Sequence, residues 1–204
     1  MDPAADFRQC LQSLIEIFRL EQREGGYEVV EELTKAAATC DCINLPLSPS
    51  NFPLMHVFNE EINENDHPIL PIVKRLAPYL PWVYSELGGR IVQSLSSGMI
   101  QVELIGPDGV IKTPRVRVGL WMQSAGMDYT TRHHAAEETF YIIAGRAHWS
   151  TYDAGETVLH GVGEFVHHPS MTPHASLTDP DSILFAVWRW SGDLSIEQYT
   201  LVNR

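Results

Sequence analysis

The chain has 204 residues, 44% of them hydrophobic, enough for one full core or a modest domain with an accessory layer. Its 14 Lys and Arg against 26 Asp and Glu leave a formal charge of −12, which disfavours nucleic acid or an anionic membrane as a partner. No apolar run reaches the roughly 18 residues of a membrane span, and the N-terminus has no signal-peptide pattern, so the expectation is a soluble, cytoplasmic protein.

Asp2-Pro3 offers a helix N-cap and a first-turn proline. Phe7, Leu11, Leu14, Ile15 and Phe18 then recur at helical spacing, a run that Gly25-Gly26 is expected to stop. A second helix is predicted over residues 27–39, with Val30, Leu33 and Ala37 on one face. Residues 41–67 break into proline, asparagine and serine and predict a long irregular connection, held to the domain by Leu45, Leu54, Met55, Val57 and Phe58. Ile69, Ile72, Val73, Leu76 and Leu80 restore a 3.6 period between Pro68 and Pro81, predicting a third helix.

The acidic residues of the first helices, Glu16, Glu21, Glu24 and Glu28 among them, argue against a DNA-binding module. These helices are expected either to pack on the rest of the chain or to build a homodimer interface. Cys40 and Cys42 have no second pair to complete a zinc site, and Cys10 falls on the apolar stripe, so the cysteines read as reduced thiols.

From about residue 89 the grammar changes. Short runs of Val, Ile, Thr and aromatics alternate with turn signals at residues 106–109, at Gly126 and Gly145, and at residues 153–155, 161–163 and 179–181. Strands at that spacing without intervening helices indicate an all-β sandwich or barrel. The expected organisation is an α-helical region over residues 1–88 packing on a β-barrel over residues 89–204.

Residues 132–141, RHHAAEETFY, offer metal-ligand spacing twice, as His133 with Glu137 and as His134 with Glu138. Glycines choose between them. From Gly126, five residues lead to position 132, one more to His134, three to Glu138 and six to Gly145; this resembles the first cupin motif, G-x5-H-x-H-x3-E-x6-G, with Arg132 at the first histidine. Gly163, Pro169 and His174 resemble the second, G-x5-P-x-G-x2-H-x3-N, with Met171 and Thr178 at its later glycine and asparagine.

The resemblance implies a mainly β fold: a single cupin, a double-stranded β-helix or jelly-roll barrel, with the α-helical region at its N-terminus. It implies a divalent transition metal, Zn, Fe, Mn, Ni or Co, on His134, Glu138 and His174. On a regular strand positions 132, 134 and 138 would share a face, with His133 and Glu137 on the other. Arg132 cannot ligate a metal: the metal loses one protein ligand, finds a substitute such as a tyrosine or water, or is absent, or else the guanidinium pairs with a substrate carboxylate. His167 and His168 are expected behind the site or exposed, and His56, His67, His148 and His160 are expected to be structural.

Within the cupins, residues 68–204 look like the bacterial dimethylsulfoniopropionate (DMSP) lyases. The likeness rests on Tyr129 five residues before His134, the string HHAAEE, and Pro173-His174-Ala175. It implies a small carboxylate substrate held at a metal, a tyrosinate that removes the α-proton, and β-elimination to dimethyl sulfide and acrylate. The family's base position, two residues after the metal glutamate, is Phe140. That leaves Tyr129 and Tyr141 as candidate bases, with Arg132 as the third candidate catalytic residue. Trp121, Trp149, Trp188 and Trp190 are available as a wall for a sulfonium group. The sequence also admits another metal-dependent cupin enzyme, an isomerase or Fe(II) dioxygenase, or a cupin that only binds a small ligand.

Overall fold

The computed structural model describes residues 2–40, 43–48, 51–86, 91, 93–151 and 157–202. Cys42, the boundary expected at residues 88 and 89, and the turn expected at residues 153–155 lie outside the described residues.

Helix α1 (Pro3–Phe18) begins where the Asp2 carboxylate accepts from the backbone N–H groups of Ala4 and Ala5, at 3.0 and 3.3 Å, and Pro3 supplies a preset φ. Phe7, Leu11, Leu14 and Phe18 are fully buried, as their spacing predicts. The glycine pair does not stop this helix. Gly25 and Gly26 lie in the first turn of α2 (Glu24–Thr39), where a Cβ on Gly25 would come within 2.3 Å of Ser191 Oγ and 2.5 Å of Arg189 Nη1. Gly25 thus permits close approach between helix and sheet, while Gly26 makes room for Glu21 in the preceding link.

Residues 41–67 are likewise less irregular than expected, because α3 (Pro53–Glu61) buries Leu54, Met55 and Phe58. Its apolar period is too short to stand out among the flanking prolines. The third expected helix is α4 (Leu70–Leu76), which tightens into a 3₁₀ turn at Ala77–Tyr79, where Pro78 has no amide to extend the α ladder.

The strands are β1 (Val83–Tyr84), β2 (Met99–Gly106), β3 (Ile111–Lys112), β4 (Arg117–Gln123), β5 (Asp128–His133), β6 (Ala136–Ala144), β7 (Ala147–Thr151), β8 (Thr157–His160), β9 (Phe165–His168), β10 (His174–Thr178), β11 (Leu184–Gly192) and β12 (Thr200–Leu201), with a short helix α5 (Gln93–Ser96) before β2. One sheet runs β1-β2-β4-β11-β6-β9 with β3 beside β2, and the other β12-β5-β10-β7-β8. Apart from the parallel β2–β3 pair, the ladders are antiparallel, and the two sheets face each other as a jelly-roll barrel.

The helices cover the outer face of the larger sheet. One hydrophobic cluster runs from α1 to α4 into outward residues of that sheet, with Phe58 and Phe185 rings 4.8 Å apart; a second, including Trp121, Phe140, Trp149 and Trp188, fills the barrel. Strand β11 is therefore buried on both faces through eight consecutive residues, which is why it reads as a nearly continuous apolar run. Cys10 and Cys40 are free and buried, and burial pushes the Cys10 thiol up to about 12. No described helix is long and apolar enough to cross a membrane.

Arg189 is the polar exception on the outer face of β11. Its Nε donates to Glu21 Oε2 at 3.1 Å and its Nη2 to Glu137 Oε1 at 2.7 Å, while Thr139 Oγ1 donates to Glu21 Oε1 at 2.7 Å. Glu21 sits in the α1–α2 link, so this buried network ties the helical layer to the strands that carry Glu138 and Trp190. Glu21→Ala strips the guanidinium of its fully buried partner, and the expected cost is about 3 kcal/mol, read as a lower denaturation midpoint with an unchanged slope.

Candidate metal centre and cavity

The motif glycines have a backbone cause. Gly126, Gly145 and Gly163 take φ of +64°, +75° and +86°, and a Cβ on Gly145 would lie 2.0 Å from the Ile183 carbonyl oxygen. Met171, which stands at a motif glycine, adopts the same left-handed region with φ +60°.

The stretch from 132 to 138 is not one regular strand, as the sequence reading supposed. Strand β5 ends at His133, the chain turns at His134 and Ala135, and β6 begins at Ala136 in the opposite sheet. His134 thus occupies a corner, anchored by the Met171 N–H donating to its carbonyl at 2.8 Å. Glu138 points inward from β6, and His174 opens β10, paired in register with Arg132. Glu137 faces outward to Arg189, as the glycine frame predicts.

Burial and orientation make the three side chains a donor set. Glu138 Oε2 lies 3.4 Å from His134 Nε2 and 3.3 Å from His174 Nε2, and none of these three buried atoms has a hydrogen-bond partner. The Nδ1 atoms face backbone carbonyls, His134 toward Ala136 at 3.0 Å and His174 toward Thr172 at 2.8 Å. Each Nδ1 therefore carries the hydrogen and each Nε2 presents a lone pair.

Two lone pairs and a carboxylate oxygen converging in a buried space repel unless a cation lies between them. Ligands roughly 2.1 Å from one ion stand about 3.3 Å apart at bond angles a little over 100°, so the spacing fits a transition metal. Burial, with Arg132 next, pushes His174 down to about 4, leaving a neutral imidazole.

Around the triad a second layer fixes its members. Trp190, opposite Glu138 in the β11–β6 ladder, donates its indole N–H to Glu138 Oε1 at 2.6 Å, leaving Oε2 free. Trp190→Phe is expected to weaken metal affinity by roughly 10- to 100-fold, measured by competition against a chelator of known affinity. His168 stacks on His174, with ring centroids 4.0 Å apart, and is buried rather than exposed.

His134 and Glu138 open into a cavity that offers ≈ 60 Å³ to the centres of water molecules. Trp121, Phe140, Trp188 and Trp190 supply apolar wall, and Tyr129, Arg132 and Tyr199 supply polar groups. Trp149 packs behind Phe140, at 4.9 Å between rings. The Tyr129 and Tyr199 hydroxyls are hydrogen-bonded, and the Arg132 guanidinium lies 3.7 Å over the Tyr129 ring. Burial raises the pKa of Tyr129, while Arg132 and the Tyr199 hydrogen bond pull it down. Burial also raises the pKa of Tyr199, with Tyr129 the next cause. No motif marks Tyr199 in the sequence; the edge strand β12, pairing with β5, brings it to the cavity.

The family profile for dimethylsulfoniopropionate lyase matches residues 28–185. The chain belongs to the DMSP lyase family. It is 31% identical over 113 residues to dimethylsulfoniopropionate lyase DddQ of Ruegeria pomeroyi, a match that spans 55% of each chain. The crystal structure of DMSP lyase DddQ from Ruegeria pomeroyi superposes with a TM-score of 0.70 at 23% identity, covering 99% of this chain and 98% of that one. A chain from the crystal structures of the DMSP lyases RdDddP and RnDddQII gives 0.66 at 22% identity, covering 97% and 100%. These superpositions extend the shared fold through the N-terminal helices.

In this DMSP lyase family member Tyr141 does not reach the cavity. It faces the helical layer, where its hydroxyl meets His67 Nε2 at 3.2 Å and its ring packs on Phe165. Strand alternation puts it on the face opposite Phe140, and no bulge at this point of β6 reverses that, so Tyr141 is withdrawn as a candidate base. A second group of potential ligand atoms, on Glu21, Glu137 and His167, surrounds a charge already supplied: Arg189 pairs with both carboxylates.

Proposed function

We propose that this chain cleaves DMSP by β-elimination, with Tyr129 as the base and a divalent transition ion on His134, Glu138 and His174. The observation that carries this reading is the hydrogen-bonded Tyr129–Tyr199 pair in the cavity that His134 and Glu138 line. Bound there, the ion supplies a Lewis acid that stabilises the negative charge developing on the substrate carboxylate.

Tyr129 takes the α-proton onto its phenolate oxygen, the electron pair forms the Cα–Cβ double bond, and the C–S bond breaks to release dimethyl sulfide and leave acrylate. Tyr199 donates to the Tyr129 oxygen, and Arg132 above the ring favours its anionic form. The indole and phenyl walls exclude water and suit a sulfonium cation. Because burial leaves the Tyr129 pKa raised on balance, the reactive phenolate fraction grows with pH. The kcat/KM of the purified protein is accordingly expected to keep climbing through the alkaline range.

Product analysis tests the reaction itself. Purified protein with a bound divalent ion is expected to yield dimethyl sulfide and acrylate in equal amounts, with slower turnover of DMSP deuterated at the α-carbon. Dimethyl sulfide without acrylate, or no turnover of DMSP, rules the proposal out. A second reading comes from the donor set, since two histidines and one carboxylate also suit Fe(II) dioxygenases. Substrate-dependent oxygen uptake with Fe(II) would favour it over the lyase.

A further inference from the structure

We infer that Arg132 is a carboxylate receptor in the cavity, able to bind short monocarboxylates such as propionate and acrylate without any metal present. This deepens the lyase reading and concerns the same cavity, but its support lies in the arginine's own surroundings.

Arg132 is 2% exposed, yet among the described residues no acidic side chain lies within 4.0 Å of it. Its hydrogen bond is from Nη1 to the Tyr129 carbonyl at 3.3 Å, and its Nη2 is buried without a partner. The contrast within the molecule is Arg189, equally buried and paired with two carboxylates, Glu21 and Glu137. A buried cation with no counter-ion is destabilising in the free protein, and in a chain with 26 acidic residues its isolation marks a place for an anion from outside.

The chemistry of the walls narrows that anion. Trp121 Nε1 and Trp188 Nε1 are buried donors without partners on the same cavity, so a ligand rich in acceptor oxygens gains several hydrogen bonds. A guanidinium edge matches a carboxylate in geometry and charge. A small cavity, ≈ 60 Å³ to water centres, with indole and phenyl rings among its walls favours a short monocarboxylate over a strongly hydrated phosphate.

Calorimetric titration of chelator-stripped protein with propionate, acrylate and inorganic phosphate tests this. Saturable binding of both carboxylates is expected, weakened at least 10-fold in Arg132→Met, weakened less in Arg132→Lys, and with phosphate clearly poorer. Removing an unpaired buried charge should leave Arg132→Met folded, with a thermal midpoint no lower than that of the unsubstituted chain. No saturable carboxylate binding to the stripped protein, equal binding by Arg132→Met, phosphate binding as well as propionate, or a lowered midpoint in Arg132→Met would each overturn the assignment. No turnover is involved: carboxylate binding without lyase activity defeats only the lyase reading, and lyase activity without metal-free binding defeats only the receptor.

Discussion

Glu138→Gln is expected to lower DMSP cleavage by at least about 10³-fold, equivalent to about 4 kcal/mol of transition-state stabilisation, together with loss of bound metal. Glu138 is the one anionic donor in the triad, and its Oε2 stands within 3.4 Å of both imidazole Nε2 atoms. Glutamine fills the same volume and can still accept from the Trp190 indole, so the fold should survive while the charge is lost. Elemental analysis of the variant should find well under one ion per chain. Full metal content with unimpaired turnover would remove Glu138 from the site.

Tyr129→Phe is the second large effect, a loss of roughly 10²- to 10⁴-fold with metal content unchanged. The substitution removes a single oxygen and keeps the ring, which stacks on Trp121 at 5.6 Å and carries Arg132 on its face. A structural tyrosine would show a small rate effect and a stability change; a base shows the reverse. Tyr199→Phe should cost less, roughly 10-fold, and shift the pH–rate profile to higher pH, because Tyr129 loses the donor that lowers its pKa. If Tyr199→Phe abolished turnover while Tyr129→Phe kept it, the two tyrosines would exchange roles.

The sequence made the barrel legible through positions where backbone geometry leaves few choices. Gly126, Gly145 and Gly163 sit in left-handed turns, and their spacing fixes which histidine and glutamate face inward. His134, Glu138 and His174 do converge, and Glu137 does turn outward, because alternation along a strand needs no knowledge of the rest of the fold. Local periodicity likewise found α1 and α4, the latter because Ile69, Ile72, Val73, Leu76 and Leu80 carry the apolar spacing past both ends of the helix.

What escaped the sequence depends on contacts between distant segments. The glycine pair at 25 and 26 looked like a helix stop because the Ser191 and Arg189 side chains against it lie more than 160 residues away. The corner at His134 and Ala135, which carries the chain from one sheet to the other, leaves no mark in a string that alternates like a strand. Tyr199 reaches the cavity through a two-residue edge strand, and the isolation of Arg132 appears only when the acidic side chains of the described residues have been placed. Arg132 and Phe140, departures from the family pattern in sequence, line the same cavity as His134 and Glu138.

The central claim is that cleavage needs one metal ion on His134, Glu138 and His174. Its most direct test is dimethyl sulfide release by chelator-stripped protein titrated in turn with Mn, Fe, Co, Ni and Zn ions. Stripped protein should be inactive, and at least one ion should restore release that saturates at one equivalent per chain. Release by stripped protein at the rate of the loaded form, or none with any of the ions, would contradict it.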